Sequence, residues 1–540
     1  MQTDVVIVGA GFGGMYMLHR LRQSGFSAVV IEAGDNVGGT WYWNRYPGAR
    51  CDVQSMDYSF SFDAELQQEW TWSEKYAPQA EILRYANHVA DRFDLRKDIV
   101  FDTRVTSATF DPSKHQWLVE TDSDKQFQSR FVVLATGCLS VPKPIDIDGT
   151  ETFTGKSYHS ADWPREGVDF SGQRVAVIGT GSSAIQSIPL IAEQAQSLTV
   201  FQRTPAYSLP ANNRELSADE IGERKANYDE HRRQSRYSLF GVPDTNMDVG
   251  AFEVDDAERN RRYEQGWEAG SLVGILQSFN DLFVDQAAND TAGEFVRNKI
   301  RQTVNDPEVA EALCPDTFPI GTKRACLDTN YYNTYNLDHV SLVNLRKTPI
   351  ECVTESGVRT TTQDYEFDAI VYATGFDAMT GAIDNIDIRG KHGQALRPQW
   401  EGGPQSYLGL AVAGFPNLFT ITGPGSPSVM SNMIISIEQH VEWIGDCLDY
   451  LRDSGHISIE ASEQAQLEWV QHVNEVAGAT LFPLANSWYM GANVPGKPSV
   501  FMPYIGGVGP YREKCDEVVE NGYAGFIFEN PETRADASAG

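Results

Sequence analysis

A chain of 540 residues, 41% hydrophobic and 22% charged, has a globular composition and room for roughly three to four domains of ordinary size. With 74 acidic against 43 basic side chains the net charge is -31, which argues against nucleic acid or an anionic membrane as partner; any anionic cofactor must be held by local Arg, Lys and backbone N–H groups. Seven cysteines with no C-x-x-C pair fit a reducing compartment and neither a disulfide framework nor a zinc site, so no metal is expected.

The first residues, MQTDVVIVGAG, read as a strand rather than a leader, and no uninterrupted apolar run is long enough to span a bilayer, so a soluble, cytoplasmic protein is expected. The β-branched run from Val5 to Val8 ends in Gly9-Ala-Gly11-Phe-Gly-Gly14 and continues into MYMLHRLRQSG, which has helical periodicity. Strand, glycine turn and helix come in the order of a dinucleotide fold. Gly9 makes the tight turn, Gly11 lets the backbone approach a pyrophosphate, and Gly14 lets helix and strand pack closely. A second strand, Ala28 to Ile31, ends in Glu32, roughly 20 residues past the first glycine, where ribose hydroxyls are expected.

The loop Val37 to Asp52, VGGTWYWNRYPGARCD, is too rich in aromatics for a plain solvated connector. FVVLATG, from Phe131, reads as a buried strand closing the first half of this unit. The stretch FTGKSYHSADWP follows, with Phe153, Gly155, His159, Trp163 and Pro164 spaced F-x-G-x-x-x-H-x-x-x-W-P; a helix here would put His159 and Trp163 on one face. Val175 to Ile178 then runs into a second glycine turn, Gly179-Thr180-Gly181-Ser182-Ser183-Ala184, with Ala at the sixth position, a permitted variation. The following strand, SLTVFQRT, ends in Arg203-Thr204 in place of the acid. A guanidinium there pairs with the 2′-phosphate of NADP, so the preference is for NADPH.

From Leu216 to Pro319 the sequence is charged and helix-forming. Ser217 with Glu220 makes a capping box, Val296, Ile300 and Val304 recur at helical spacing, and Asp306-Pro307 opens a further helix. Lys323-Arg324 follow, then FDAIVYATG from Phe367, which repeats the earlier ATG-ending strand. A glycine-proline loop leads into a helix near Asn432, whose N-terminus can stabilise negative charge. The last ten residues, ending ADASAG, read as a frayed tail.

The fingerprint spacing, with the two glycine turns, resembles the type I Baeyer–Villiger monooxygenases nearly end to end. SWYMGANVPGK and GPGSPS are most similar to the phenylacetone and steroid monooxygenase group. The fold expected is α/β, with two Rossmann-like domains and a helical insertion: residues 1–140 and 381–540 for FAD, 141–215 and 320–380 for NADP, and 216–319 for the insertion. By resemblance, Thr40, Trp41, Tyr58, Val105 and Met433 join Gly9, Gly11, Gly14, Glu32 and Asp52 around FAD. Arg50, Cys51, Gln186, Lys323, Arg324 and Trp488 join the second glycine turn, Arg203 and Thr204 around NADP. The same resemblance implies that NADPH reduces FAD, that a peroxyflavin formed from dioxygen attacks a ketone to give an ester or lactone, and that Arg324, held by Asp52, stabilises the charge; Ser428, Val429 and Met430 shape the ketone pocket. An N- or S-oxygenating flavin monooxygenase is the nearest alternative, and a flavin-binding redox sensor without turnover a more distant one. The physiological ketone and the oligomeric state are left open, and a monomer is compatible with the sequence.

Overall fold

The computed structural model describes residues 1–243, 247–492 and 494–530, so the expected frayed tail lies outside the described residues. Two parallel-rich sheets organise the chain. The first has eight strands. Across it run Asp387–Arg389, Val105–Asp111, Gln116–Thr121, Gln126–Leu134, Gln2–Val8, Ala28–Ile31 and Ile99–Val100, while Leu418–Thr420 also pairs with Gln126–Leu134. Gln2–Val8 is central and parallel to both neighbours, Val6 opposite Val29 and Val132, and Val5 through Ile7 are fully buried. A strand covered on both faces must be apolar throughout, and this explains the unbroken Val-Val-Ile-Val run.

The second sheet has five parallel strands in the order Val340–Asn344, Ser197–Gln202, Arg174–Ile178, Ala369–Tyr372, Lys156–His159. Each sheet carries one strand-turn-helix unit at its centre: Phe12–Gln23 follows Gln2–Val8, and Ser182–Ala192 follows Arg174–Ile178. Gly9 and Gly179 open the two turns at φ of +102° and +118°, a region that L side chains avoid. Gly14 answers a different demand, since a Cβ there would lie 1.8 Å from the Gly9 carbonyl oxygen.

Between residues 216 and 319 the chain is helical, with Ala218–Ala226, Tyr228–Arg236, Asp256–Ala269, Gln286–Thr303 and Pro307–Leu313. The Ser217/Glu220 capping box is formed, and Asp306 caps the helix that Pro307 begins. Short strands Ser208–Pro210 and Cys326–Asp328 pair in parallel across the insertion and hold its ends together. The buried Asp57 carboxylate ties the insertion to the first sheet's loops, accepting from His231 at 2.5 Å and Arg224 at 2.7 Å. Burial would raise the Asp57 pKa, but the His231 hydrogen bond and the Arg224 charge outweigh it and the pKa is lowered. No helix among the described residues is long and apolar enough to cross a membrane.

Candidate active site

Phe12–Gln23 starts at Gly11 and Ser182–Ala192 at Gly181, and neither has a side-chain cap or an acidic residue in its first turn. Ala218–Ala226, Asp256–Ala269, Gln286–Thr303 and Glu463–Gly478 each carry a Ser or Asp cap. At the two glycine turns the first-turn N–H groups of Phe12–Gln23 and Ser182–Ala192 have no side-chain acceptor, and the helix dipole there favours an anion. Beside the first of them Glu32 is 5% exposed, its Oε2 accepting from the Ala10 N–H at 2.6 Å and its Oε1 from the Gly34 N–H at 2.8 Å. Burial raises its pKa against these bonds. The Thr103 N–H donates to the Glu32 carbonyl at 2.9 Å, which brings the segment leading to buried Val105 alongside. A carboxylate oriented by loop amides beside an uncapped helix fits the ribose and pyrophosphate of a dinucleotide.

The aromatic loop closes over this turn. Thr40 begins a one-turn helix, Thr40–Trp43, and the Trp41 indole donates to the Tyr58 hydroxyl at 3.1 Å with the two rings edge to face. Asn432 caps Met433–Ser454 by accepting from the Ile434 N–H at 3.1 Å, while its amide donates to the Asp57 carbonyl at 2.8 Å, so Met433 is fixed at the helix start.

Arg324 and Asp52 meet where the two units face each other. Arg324 Nε and Nη2 donate to the two Asp52 oxygens at 2.6 and 2.8 Å, and Nη1 donates to the Val429 carbonyl at 2.7 Å. The side chains are 22% and 24% exposed, sheltered but reachable. Burial disfavours a charged guanidinium, yet the Asp52 charge prevails and the Arg324 pKa is raised above its usual value, so the group is a permanent cation. The Tyr489 hydroxyl also reaches Arg324, and burial pushes this phenol up to about 12. Ser428 is fully buried with φ of +41°, its hydroxyl donating to the Thr422 carbonyl at 3.1 Å, and this turn aims the Val429 carbonyl at the guanidinium. Val429 and Tyr489, which reach Arg324, belong to an apolar cluster with Met379, Met430, Phe482 and Phe501. Phe283 from the insertion stacks on Phe482 at 5.7 Å, and its carbonyl accepts from the Leu481 N–H at 2.8 Å.

On the second unit, Thr180 Oγ1 donates to the Thr204 carbonyl at 2.9 Å, pinning the glycine turn to the end of the next strand. Arg203 is exposed there and its guanidinium has no hydrogen bond or ion pair among the described residues. Lys323 stands over the Phe318 ring at 4.6 Å. Ala184 is fully buried, and Ser182 Oγ lies 3.2 Å from Cys326 Sγ; Ser183, in the same first helical turn, accepts through its carbonyl from Ser187 Oγ at 2.6 Å. Gln186 bridges the two units, donating to the Arg50 carbonyl at 3.1 Å and accepting from the Tyr46 hydroxyl at 3.0 Å. The Arg50 guanidinium turns to Glu74 at 2.5 Å and to the Tyr76 carbonyl, and the Cys51 thiol is buried, which pushes its pKa up. Trp488 is half-buried, 4.2 Å from the Tyr489 ring centroid.

The stretch from Phe153 to Pro164 is not helical, so His159 and Trp163 do not share a helix face. After Phe153 and Gly155, Lys156–His159 is an edge strand parallel to Ala369–Tyr372, and its partner, far along the chain, sets its conformation. His159 Nδ1 accepts from the Ala161 N–H at 3.1 Å, which leaves the proton on Nε2 facing Thr374 Oγ1 at 3.2 Å. Trp163 packs against Tyr158 and Phe170, and the Pro164 carbonyl closes a turn by accepting from the Gly167 N–H at 3.1 Å.

A family model described as pyridine nucleotide-disulphide oxidoreductase matches residues 6–221. A Baeyer–Villiger monooxygenase of Pseudooceanicola batsensis is 40% identical over 527 residues, 97% of this chain and 96% of that protein. The chain belongs to the Baeyer–Villiger monooxygenase family. A solved steroid monooxygenase bound to NADP is 52% identical, with a TM-score of 0.95 over 98% of this chain and 100% of that one. A phenazine N-monooxygenase of Lysobacter antibioticus, 40% identical over 530 residues, 98% of this chain and 97% of that protein, is also similar to this family member.

Three groups that meet Arg324 or the apolar cluster beside it carry little sequence signal. The Val429 carbonyl on Arg324 is backbone, and Phe283 comes from the charged insertion. Tyr489 follows Trp488 directly, so the neighbouring aromatic was its one available cue.

Proposed function

We propose that the chain is an FAD-dependent monooxygenase that uses NADPH and dioxygen to convert ketones to esters or lactones, with Arg324 as the charge-stabilising residue. The observation that carries this is the Arg324 guanidinium, held by both Asp52 oxygens and the Val429 carbonyl between the two anion-ready helix starts. On this reading residues 1–140 and 381–540 bind FAD, 141–215 and 320–380 bind NADP, and 216–319 insert a helical wall. Bound FAD supplies the electron and oxygen transfer. The protein binds, orients and neutralises. Glu32 and the Phe12–Gln23 helix start hold the adenosine and pyrophosphate of FAD, while Thr40, Trp41, Tyr58, Val105 and Met433 enclose the remainder. The Ser182–Ala192 helix start, Arg203, Thr204, Lys323 and Trp488 hold NADP, and Gln186, with Arg50 and Cys51, supports that site from the first unit. A permanent cation beside the ketone offsets the negative charge that gathers on its oxygen, and Asp52 keeps the planar guanidinium aimed.

A ketone panel with product identification tests the reading: NADPH consumption stimulated by ketones with ester formed supports it, and stimulation by amines or sulfides alone gives the N- or S-oxygenating alternative that the phenazine relative suggests. No stimulation by any of these is the redox-sensor outcome.

Arg203→Ala is expected to raise the Michaelis constant for NADPH about tenfold and leave that for NADH nearly unchanged, since only NADPH loses a charge-assisted contact. Steady-state kinetics with both coenzymes checks this, and equal effects would remove Arg203 from the phosphate site. The Ser428-Val429-Met430 turn shapes the ketone pocket on this reading, but shortening it would also displace the carbonyl that holds Arg324. Met430→Ala keeps the backbone and enlarges the wall. Relative kcat/KM among ketones is expected to shift about tenfold toward bulkier ones, with flavin reduction unchanged; an unaltered profile assigns the turn to structure alone.

A further inference from the structure

The connection from the first sheet to the second contributes a cation to the coenzyme side. Lys143 donates its backbone N–H to the Gly375 carbonyl at 3.0 Å, and the Asp377 N–H donates to the Val141 carbonyl at 2.9 Å, so residues 141–143 lie against the turn that follows Ala369–Tyr372. In the second sheet that strand neighbours Arg174–Ile178, which ends in Gly179, and the next strand, Ser197–Gln202, ends in Arg203. Adjacent strands lie about 4.8 Å apart, so two spacings separate these strand ends by about 10 Å, a gap that a lysine and an arginine side chain together span. Val340–Asn344, on the far side of Ser197–Gln202, leads to Arg346. Lys143, Arg203 and Arg346 thus converge at the carboxyl edge of one parallel sheet, around a topological switch point where open α/β sheets bind ligands. Lys323 joins them from the turn before Cys326–Asp328, its ammonium sharing the field of Arg203 and Arg346.

These four cations differ in what occupies them. Arg346 donates to Asp316 at 2.8 Å, to the Arg203 carbonyl at 3.0 Å and to Thr317 at 3.3 Å, so it braces the Arg203 main chain. The side chains of Lys143, Arg203 and Lys323 have no carboxylate or hydrogen-bond acceptor within bonding distance among the described residues, although acids outnumber bases 74 to 43 in the chain. Burial lowers the pKa of Lys143 and of Lys323, and the Arg203 charge lowers both further; Asp146 only partly offsets this for Lys143. Three like charges gathered beside a glycine turn, at the end of the strand where a ribose is held, match a dianion on the 2′ oxygen better than a neutral hydroxyl.

We propose that Lys143 is a third cation of the coenzyme's 2′-phosphate site, selecting NADP over NAD together with Arg203 and Lys323. The proposal rests on the reading that NADP occupies this edge of the second sheet. Because Lys143 belongs to the interdomain connection, its contact with the phosphate also fastens that connection to the bound coenzyme.

The test is equilibrium binding of NADP⁺ and NAD⁺ to the oxidised, FAD-loaded enzyme, which requires no turnover. Lys143→Gln is expected to weaken NADP⁺ about tenfold and NAD⁺ less than about twofold, as loss of one charge-assisted contact gives. Lys143→Arg retains most of the NADP⁺ affinity, and adenosine 2′,5′-bisphosphate follows NADP⁺ while 5′-AMP follows NAD⁺. Arg203→Ala is the reference. If Arg203→Ala discriminates between the coenzymes and Lys143→Gln weakens both equally or neither, the proposal falls while the coenzyme site stands. If neither variant discriminates, the phosphate is held elsewhere and both fall. An unchanged flavin spectrum in Lys143→Gln confirms that the comparison is made on folded enzyme.

Discussion

Arg324→Ala is expected to bind FAD and to be reduced by NADPH, yet to form ester at least about 100-fold more slowly than the parent enzyme. Passing a hydride needs binding and alignment, whereas the oxygen-insertion step gathers negative charge on the ketone oxygen inside a sheltered site. Losing one preorganised charge donor there typically costs a factor of about 100 to 1,000. The neighbours do not compensate. The Tyr489 phenol is neutral, and the Val429 carbonyl and Asp52 carboxylate would both repel the charge that the guanidinium had offset. Arg324→Lys is expected to restore little, because a point charge on a flexible stem cannot donate to both Asp52 oxygens and the Val429 carbonyl at once. Stopped-flow flavin reduction alongside product analysis on the same variant checks this. Ester formation near the parent rate would take Arg324 out of the site.

Gly14→Ala is expected to yield protein without bound FAD. The added Cβ would lie 1.8 Å from the Gly9 carbonyl oxygen and 3.0 Å from its carbon, in the turn beneath the helix. The obstacle is backbone and not the free end of a flexible side chain, so helix and turn must move apart by on the order of 1 Å in a close-packed layer. The motion pulls the first-turn N–H groups off the pyrophosphate and costs about 1–3 kcal/mol of packing. Gly222→Ala is the matched control: it lies within Ala218–Ala226 with nothing within 4 Å of an added Cβ, and alanine favours a helix by about 1 kcal/mol over glycine. Flavin absorbance per chain and thermal unfolding of the two variants make the comparison. Stoichiometric FAD in Gly14→Ala would contradict the account of this turn.

What could be read from sequence is what is local. Both glycine turns and the Ser217/Glu220 capping box are specified by residues within a few positions of one another, and Glu32 by a fixed spacing from the first turn; all form as spaced. The conformation of the stretch at 153–164 was not legible in this way because it is set from outside. Pairing with Ala369–Tyr372 makes Lys156–His159 a strand, and the His159 ring is oriented by Ala161 and by Thr374 across the sheet. The resemblance implied that Asp52 holds Arg324, and the structure adds how: two parallel bonds to the carboxylate and a third to the Val429 carbonyl, across 272 and 105 positions of chain. Lys143 gave no signal at all. A lone lysine in a connection reads as solvated surface until the sheet order brings it to the turn at Gly375.

Ketone oxidation under ¹⁸O-labelled dioxygen decides whether this enzyme inserts an oxygen atom beside a ketone carbonyl. Purified, FAD-loaded enzyme with NADPH and a responsive ketone is expected to give an ester or lactone carrying one labelled oxygen, with one NADPH consumed per product and none formed under nitrogen. NADPH consumption that yields only hydrogen peroxide across a broad ketone panel, or label found solely in amine or sulfide oxides, would contradict that insertion.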